Sequence, residues 1–432
     1  MEQLLHYVWK HRLFPLAPLR TTEGEAIDVL DPGLHNRDAG PDFFNAKVSI
    51  GGTVWVGNVD LHLQSSDWYR HGHHTDKAYN NVILHVVCEA DREATTENGI
   101  TLPQLQLEIP DGLRKNYEHL LSIDRYPRCH RVIPKLDTFK VHNWMDTLLQ
   151  ERLRSRAYRV TGYLKDSGGD WEKALFVALA RNFGFALNAE AFVAWAHLVP
   201  LEKIGKHRDD LFQIEAIFLG QAGMLEAGAR PEAEADEYRR KLQREYSYQQ
   251  RLFDLPPALP LQQWRYLRLR PQNFPHIRLA QLAWIYSNKR VTMAGLRDAL
   301  SAEEPMKSLL NLLKAETSPY WTEHLMFGKP VPRKSLTLSP ATRRLIIINT
   351  VIPVLYAHAI AHSDPATAER LEELLRQMPA EDNHILRLWQ ECGLDVSSAA
   401  DGQALIHLKN EYCDRRDCLR CAFGYEYMKG EA

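Results

Sequence analysis

The chain is short of the features that most readily fix a compartment or a cofactor. It has six cysteines in 432 residues, too few and too scattered for a disulfide framework, so a reducing cytoplasm is the expected location. No run approaches the roughly 18 uninterrupted apolar residues of a membrane span, and no membrane partner is expected. The first residues, Met1-Glu2-Gln3-Leu4-Leu5-His6-Tyr7, lack the basic segment and apolar core of an export signal, so export is not expected. Neither sign of charge dominates: 53 Lys and Arg against 55 Asp and Glu give a formal net charge of −2, so whole-chain electrostatics announces no polyanion. Gly220-Gln221-Ala222-Gly223 is not a phosphate loop, because no Lys-Ser/Thr pair follows and no strand precedes it. There is no nucleophile elbow and no dinucleotide fingerprint.

Length predicts two or more domains, and 45% hydrophobic residues suffice for large cores. Over the first 110 residues the pattern is mixed. Leu5, Trp9 and Leu13 fall on one side of a helix over Glu2–Phe14, stopped by Pro15 and Pro18. Ala26–Leu30 is a short strand. Phe44–Ile50 and Thr53–Leu63 are strands joined by the hairpin signal Gly51-Gly52. A helix or loop over Asp67–Tyr79 leads to Asn81–Glu89, an apolar run of the kind covered on both faces. Leu102–Ile109 adds a further strand. After Thr138 apolar residues recur at three and four, which predicts helices at Thr138–Gly162, Asp170–Asn182, Leu201–Ala227, Pro231–Phe253, His276–Ser287, Met293–Leu300, Pro340–His362 and Ala366–Met378. No fixed-period repeat appears.

The most informative stretch is Gly40-Pro41-Asp42-Phe43, followed eighteen residues after Asp42 by Asp60-Leu61-His62. Alternation along Thr53–Leu63 places Asn58, Asp60, His62 and Gln64 on one face. Asp42 sits at the entry to the preceding strand, so the hairpin can bring it beside Asp60. Two carboxylates suit Mg²⁺ or Mn²⁺, and such an ion polarises a phosphoryl oxygen and lowers the pKa of an attacking water. His62 would orient that water or stabilise developing charge. A turn aspartate and a solvent-facing polar strand account for the same spacing.

A Gly-Pro-Asp turn, a strand and an acid-x-basic triplet resemble the core motif of the PD-(D/E)xK nuclease superfamily, and the helix-strand-strand-strand-helix-strand order is similar to its core. The resemblance implies Asp42 and Asp60 as metal ligands, with His62 where the family has lysine. It matches Glu2, or alternatively Glu25, to a helical glutamate, and Lys47, with Asn45 and Ser49 on its face, to a displaced lysine. Longer strings cover nearly the whole chain: Asp38-Ala39-Gly40-Pro41-Asp42-Phe43, Ser66-Asp67-Trp68, Asn81-Val82-Ile83-Leu84-His85-Val86-Val87, Leu267-Arg268-Leu269-Arg270-Pro271 with Asn273-Phe274-Pro275, and the terminal cysteines. These resemble an uncharacterised bacterial family, domain of unknown function 2851, which brings no activity with it.

Three further clusters carry chemistry. His71-Gly72-His73-His74-Thr75-Asp76 precedes His85 on the next strand, and imidazoles near a carboxylate can bind Zn²⁺, Mn²⁺ or Fe²⁺. His62, His71, His73 or His85 would then adjoin the carboxylates, and a mixed site would favour Mn²⁺ or Zn²⁺ over Mg²⁺. A polar loop and a hydrogen-bonded core histidine are the plainer account. In the tail, Cys413, Cys418 and Cys421 are spaced Cys-x4-Cys-x2-Cys. With Cys129, or else His130 or Cys392, they could hold Zn²⁺ or an iron–sulfur cluster; three free thiols are the alternative. Arg239–Arg290 contains eleven Lys or Arg and two acids, with Tyr246, Tyr248, Trp264, Tyr266 and Phe274 interleaved. Arg152, Arg154, Arg156 and Arg159 add to it. Basic residues with stacking aromatics suit single-stranded nucleic acid, and Arg265, Arg268 and Arg270 are the expected contacts. Solvated helix faces over core aromatics are the other account.

The expected fold class is α+β. A nuclease-like α/β sandwich, a mixed sheet with flanking helices, occupies 1–135. A large all-α domain follows over 136–400, and a cysteine-bearing tail, 401–432, packs back on the first domain. The expected activity is metal-dependent phosphodiester hydrolysis of DNA or RNA. Two alternatives are a non-catalytic nucleic-acid-binding or scaffold protein and a histidine-centred hydrolase of another substrate class.

Overall fold

Leu4, Leu5, Val8 and Trp9 fall at helical spacing and are buried along α1, Glu2–Lys10. The helix ends a turn before the predicted Phe14. Arg12 takes a left-handed φ of 50°, and its guanidinium donates to the Leu30 carbonyl at 2.9 Å, turning the chain toward the sheet. The computed structural model describes every residue except Leu16, Arg37, 227–230, 289–290, 334–335 and 431–432. The predicted helix end at Ala227 and the end of the basic segment at Arg290 lie outside the described residues.

Two compact units emerge, Met1–Trp144 with Arg387–Asp395 and Leu408–Ala432, and Met145–Leu386 with Val396–His407. The helical unit is therefore not the unbroken 136–400 expected. Residues 387–395 belong to the first unit, where Trp389 packs against Tyr126 and Phe423.

In the first unit seven strands form one mixed sheet among the described residues: β1 (Leu19–Arg20), β2 (Ala26–Asp31), β3 (Leu34–His35), β4 (Phe43–Ile50), β5 (Thr53–Gln64), β6 (Val82–Glu89) and β7 (Gln104–Gln106). The order is β1-β2-β4-β5-β6-β7, with β3 paired to β4. β2, β4 and β5 are antiparallel; β6 and β7 run parallel to β5. Gly51 and Gly52 have φ of 57° and 86°, the two left-handed positions that a tight hairpin turn requires. Ile27, Val29, Phe43, Ala46, Val48, Ile50, Val59 and Leu61 meet α1 in one core. The predicted strand Leu102–Ile109 is only β7 long: Pro103, which has no N–H to give a ladder, precedes it, and α3, Asp111–Ser122, begins behind Pro110.

One irregularity positions the site. Phe43 pairs with Val59 but Ala46 with Gly57, so Phe44 and Asn45 together face Asn58. This is a β-bulge, and Asn45 sits in it at φ 53°. An unbroken strand would point Asp42 the same way as Ala46, Val48 and Ile50, into the core. The bulge reverses the alternation, and Asp42, one step beyond the Phe43–Val59 pair, comes abreast of Asp60.

The second unit is built mainly of helices. Predicted Leu201–Ala227 is broken into Leu201–Ile204 and Leu211–Gln221, because Asp210 accepts N–H groups from Phe212 and Gln213 and starts a new helix. Predicted Pro231–Phe253 breaks likewise at the cap Asp236. Phe185–Leu198 was not predicted; it is apolar on nearly every side and has no 3.6-residue contrast to read. Pro340–Ala361 is long and apolar enough by composition to cross a membrane, yet 67% of its apolar window is buried in the protein, the position of a core helix.

Candidate metal centre

The crossover from β5 to β6 carries α2, Asp67–Arg70, and two tight turns, His73–Thr75 and Lys77–Tyr79. It folds over the Asp60 face because Trp68 and Tyr79 bury there with Val82, Ala94 and Leu102, and the Trp68 indole donates to the Thr95 carbonyl at 2.9 Å. The loop histidines are thereby laid on the strand. Tyr79 stacks on His73 at 3.8 Å between ring centres, and Trp68 meets the rings of His62, His73 and His85 edge-on or tilted.

The carboxylates and imidazoles converge. The Asp42 N–H donates to Asp60 Oδ1 at 3.3 Å, and Asp42 Oδ2 accepts the N–H of Leu61 at 2.8 Å. Asp60 Oδ2 lies 3.5 Å from His62 Nδ1 and 3.8 Å from His73 Nε2, yet it is buried with no hydrogen-bond partner among the described residues. His85 pairs with Asp60 across β5 and β6. Ligand atoms of His62, His71 and His73 lie within 4.8 Å of one another. Donors about 2.1 Å from a tetrahedral ion are about 3.4 Å apart, close to the 3.1 Å between His62 Nε2 and His71 Nδ1.

Protons on these rings follow from one fixed donor. Gln104 Nε2, which can only donate, faces His85 Nδ1 at 3.4 Å. His85 Nε2 therefore carries the hydrogen and donates to His62 Nδ1 at 3.0 Å, and His62 Nε2 donates to His71 Nδ1. Burial, then the neighbouring rings of His85, His73 and His71, push His62 down to about 2. Burial and His73 push His85 down to about 3, and burial and His71 push His73 down to about 4. Burial, then the charge of Asp42, holds Asp60 well above the usual carboxylate range. Burial thus works against charge on both His62 and Asp60. The cluster has lone pairs without compensating positive charge, which is the donor set a cation fits.

Of the predicted residues, Asp42, Asp60, His62, His73 and His85 meet here. Glu2 is close enough to Asp60 for its charge to raise the Asp60 pKa, whereas Glu25 lies against the Gly51 turn at the far end of the hairpin. Lys47 does not join them. It is exposed and pairs with Val56, four residues along β5 from Asp60, or about 13 Å. Three participants went unread: His6, whose Nε2 is 3.5 Å from Asp42 Oδ2, Tyr79 and Gln104. His6 had a signal, since it lies one helical turn after Glu2 on the same face.

Cys129 feels the charge of Cys421, Cys413 and Cys418. The alternative fourth ligand Cys392 is perturbed by Arg125 and Glu391 instead, and His130 Nδ1 faces the Pro127 carbonyl at 3.2 Å.

In the second unit the basic segment divides. Arg265, Arg268 and Arg270 are exposed. Arg239 is fully buried against Glu234, and Arg278 is buried with Gln281 and Asn273, so neither reaches a phosphate. Tyr246 and Trp264 are core residues, bonded to Gln221 and to the Ala222 carbonyl. The basic, aromatic-bearing surface is instead on Glu237–Phe253, where Arg240, Arg244, Tyr248 and Arg251 line a groove of about 750 Å³. Arg156, Arg159 and Arg181 line a second cavity of about 470 Å³, while Arg152 is buried against Gln403.

A family model described as "Protein of unknown function (DUF2851)" matches residues 2–384. No curated protein and no solved structure matches the chain.

Proposed function

The chain belongs to the DUF2851 family of proteins of unknown function, and from the donor cluster of its first unit we propose that it is a metal-dependent nuclease that hydrolyses phosphodiesters of DNA or RNA. The observation that carries this is the Asp60 carboxylate: buried, abreast of Asp42, and offering an unsatisfied oxygen within 4 Å of two uncharged imidazoles. After α1 come five strands, of which β2, β4 and β5 form an antiparallel run, then the four-residue α2 and the parallel strand β6; the order that the PD-(D/E)xK resemblance implies has three strands there.

A bound divalent ion supplies a Lewis acid and a water of lowered pKa. Asp42 and Asp60 would hold the ion, with Glu2 and His73 as further candidate ligands. His62 stands where the resemblance implies lysine, but it is buried and uncharged, so it cannot supply that positive charge. Its role would be to orient a ligand or the water, and a bound cation would supply the positive charge that the lysine would otherwise give. Imidazoles mixed with carboxylates favour Mn²⁺ or Zn²⁺ over Mg²⁺. The basic groove on Glu237–Phe253 supports a nucleic acid as substrate, and six free cysteines are in keeping with a cytoplasmic location.

The missing lysine favours a second reading, a scaffold that binds nucleic acid without cutting it. The grouping of three imidazoles favours a third, a metal hydrolase of another ester. Purified protein is incubated with single- and double-stranded DNA and RNA under Mn²⁺, Zn²⁺ or Mg²⁺, beside Asp60→Asn. Metal-dependent cleavage lost in Asp60→Asn is expected. Cleavage that persists in Asp60→Asn overturns this site, and metal-independent binding without cleavage makes the protein a scaffold.

A further inference from the structure

Cys129 and the three cysteines of the tail, distant in sequence, lie within electrostatic reach of one another in the first unit. Residues 412–421 form a tight knuckle: the Asp417 N–H donates to the Tyr412 carbonyl at 2.8 Å, Arg416 N–H to the Cys413 carbonyl at 3.1 Å, and Cys421 N–H to the Cys418 carbonyl at 3.3 Å. The helix Ala422–Lys429 follows at once, and Gly424 passes so close that a Cβ there would lie 2.2 Å from the Cys418 carbonyl oxygen. From the other end, Arg128 donates to the Cys413 carbonyl at 3.3 Å. Cys129, 8% exposed, follows Arg128 directly and is near enough to Cys421, 7% exposed, to feel its charge. All six cysteines of the chain are free.

The groups around these sulfurs are donors. The Tyr126 hydroxyl, the Trp144 indole N–H and Arg128 Nε are buried with no nitrogen or oxygen acceptor among the described residues; the Tyr126 hydroxyl and the Trp144 N–H are turned instead toward the sulfurs of Cys413 and Cys421, and the Arg128 charge reaches Cys418. A thiol accepts hydrogen bonds weakly, whereas a metal-bound thiolate accepts them well.

We propose that Cys129, Cys413, Cys418 and Cys421 ligate a metal centre, zinc or an iron–sulfur cluster, which fastens the end of the chain to the first unit. The shared chemistry is a four-thiolate site with charged-donor support; it does not depend on the nuclease reading. Its role is structural: the terminal helix packs Met428 into the core of the sheet, and Asn116 donates to the Met428 carbonyl at 3.1 Å.

The test is metal and acid-labile sulfide content, with absorption spectra, of protein purified without oxygen. Asp60→Asn/His62→Ala is used as background so that the imidazole site contributes no metal. Stoichiometric zinc, or iron with sulfide and visible absorption, is expected, lost in Cys421→Ser and kept in Cys392→Ser. The first outcome supports the centre as a single ion and the second as a cluster. If Cys421→Ser does not fold, native mass spectrometry of the parent chain decides the matter. A mass equal to the bare polypeptide, with four thiols open to alkylation, overturns the proposal.

Discussion

Asp42 and Asp60 hold each other through the main chain: the Asp42 N–H donates to the Asp60 carboxylate at 3.3 Å, and the Asp42 carboxylate accepts the N–H that follows Asp60 at 2.8 Å. This pairing exists only because the bulge at Asn45 reverses the alternation of β4. Asn45 tolerates its φ of 53°, whereas a β-branched residue does not. Asn45→Val is expected to cost about 1–2 kcal/mol and to abolish any rise in melting temperature on adding Mn²⁺ or Zn²⁺. Asn45→Gly keeps both. Equal metal responses in the two variants would show that the bulge does not align the acids.

Lys47 and His62 make opposite predictions. Lys47→Ala leaves metal-dependent cleavage within about threefold, because the side chain is exposed and about 13 Å along the sheet from Asp60. His62→Ala removes a ring that touches His71, His73 and His85 and should lower metal affinity at least about tenfold. Cleavage kinetics against metal concentration, with isothermal titration of the metal, read both effects. A collapse of activity in Lys47→Ala would restore the displaced lysine that the resemblance implies.

How far the site was legible depended on which rule each residue obeyed. Asp60, His62 and His85 lie on regular strands, so alternation and an interrupted apolar run exposed them. Asp42 was found through its turn, although strict alternation would have buried it in the core; no rule of spacing discloses a bulge, and an asparagine inside a strand was the only sign. Lys47 was misassigned for a related reason: sharing a face with the acids says nothing of distance along the strand. The roles of His71 and His73 were undecidable because a loop has no periodicity, and they were set by where Trp68 and Tyr79 bury. In the second unit, all-round apolar helices such as Phe185–Leu198 gave no contrast, and charge density did not separate the buried Arg239 from the exposed Arg240 beside it.

Glu215 supplies a test of the second unit's stability. It is buried, receives hydrogen bonds from Tyr238 at 2.9 Å, Ser318 at 3.3 Å and Trp321, and is raised above its ordinary value by burial. A carboxyl with a raised folded pKa binds more protons folded than unfolded. Its contribution is therefore full below the unfolded value, about 4.3, and is lost as pH rises through the folded one. Glu215→Gln removes that loss. The stability of the parent relative to Glu215→Gln, from urea unfolding, is expected to fall as pH is raised from 4 upward. Parallel pH profiles would mean that the three donors keep the folded carboxylate ionised.

Adjacent arginines separate a nucleic-acid surface from a structural one. Arg240 and Arg244 face the groove on Glu237–Phe253, where each phosphate neutralised on a single strand contributes about 0.7 to the slope of log affinity against log salt. Arg240→Ala/Arg244→Ala should therefore reduce that slope by about 1.4 and weaken binding to all sequences alike. Arg239, one residue earlier, is fully buried, bonded to Glu234 and the Glu226 carbonyl. Arg239→Met should leave the salt slope unchanged and cost about 2–3 kcal/mol of stability, because an acceptor loses its buried donor while Glu234 is largely rescued by solvent. Filter binding of labelled single strands across salt concentrations, beside thermal melts, reads both quantities. A slope that responds to Arg239→Met but not to the double variant would move the contact surface off this helix, and the exposed Arg265, Arg268 and Arg270 would be the next arginines to substitute.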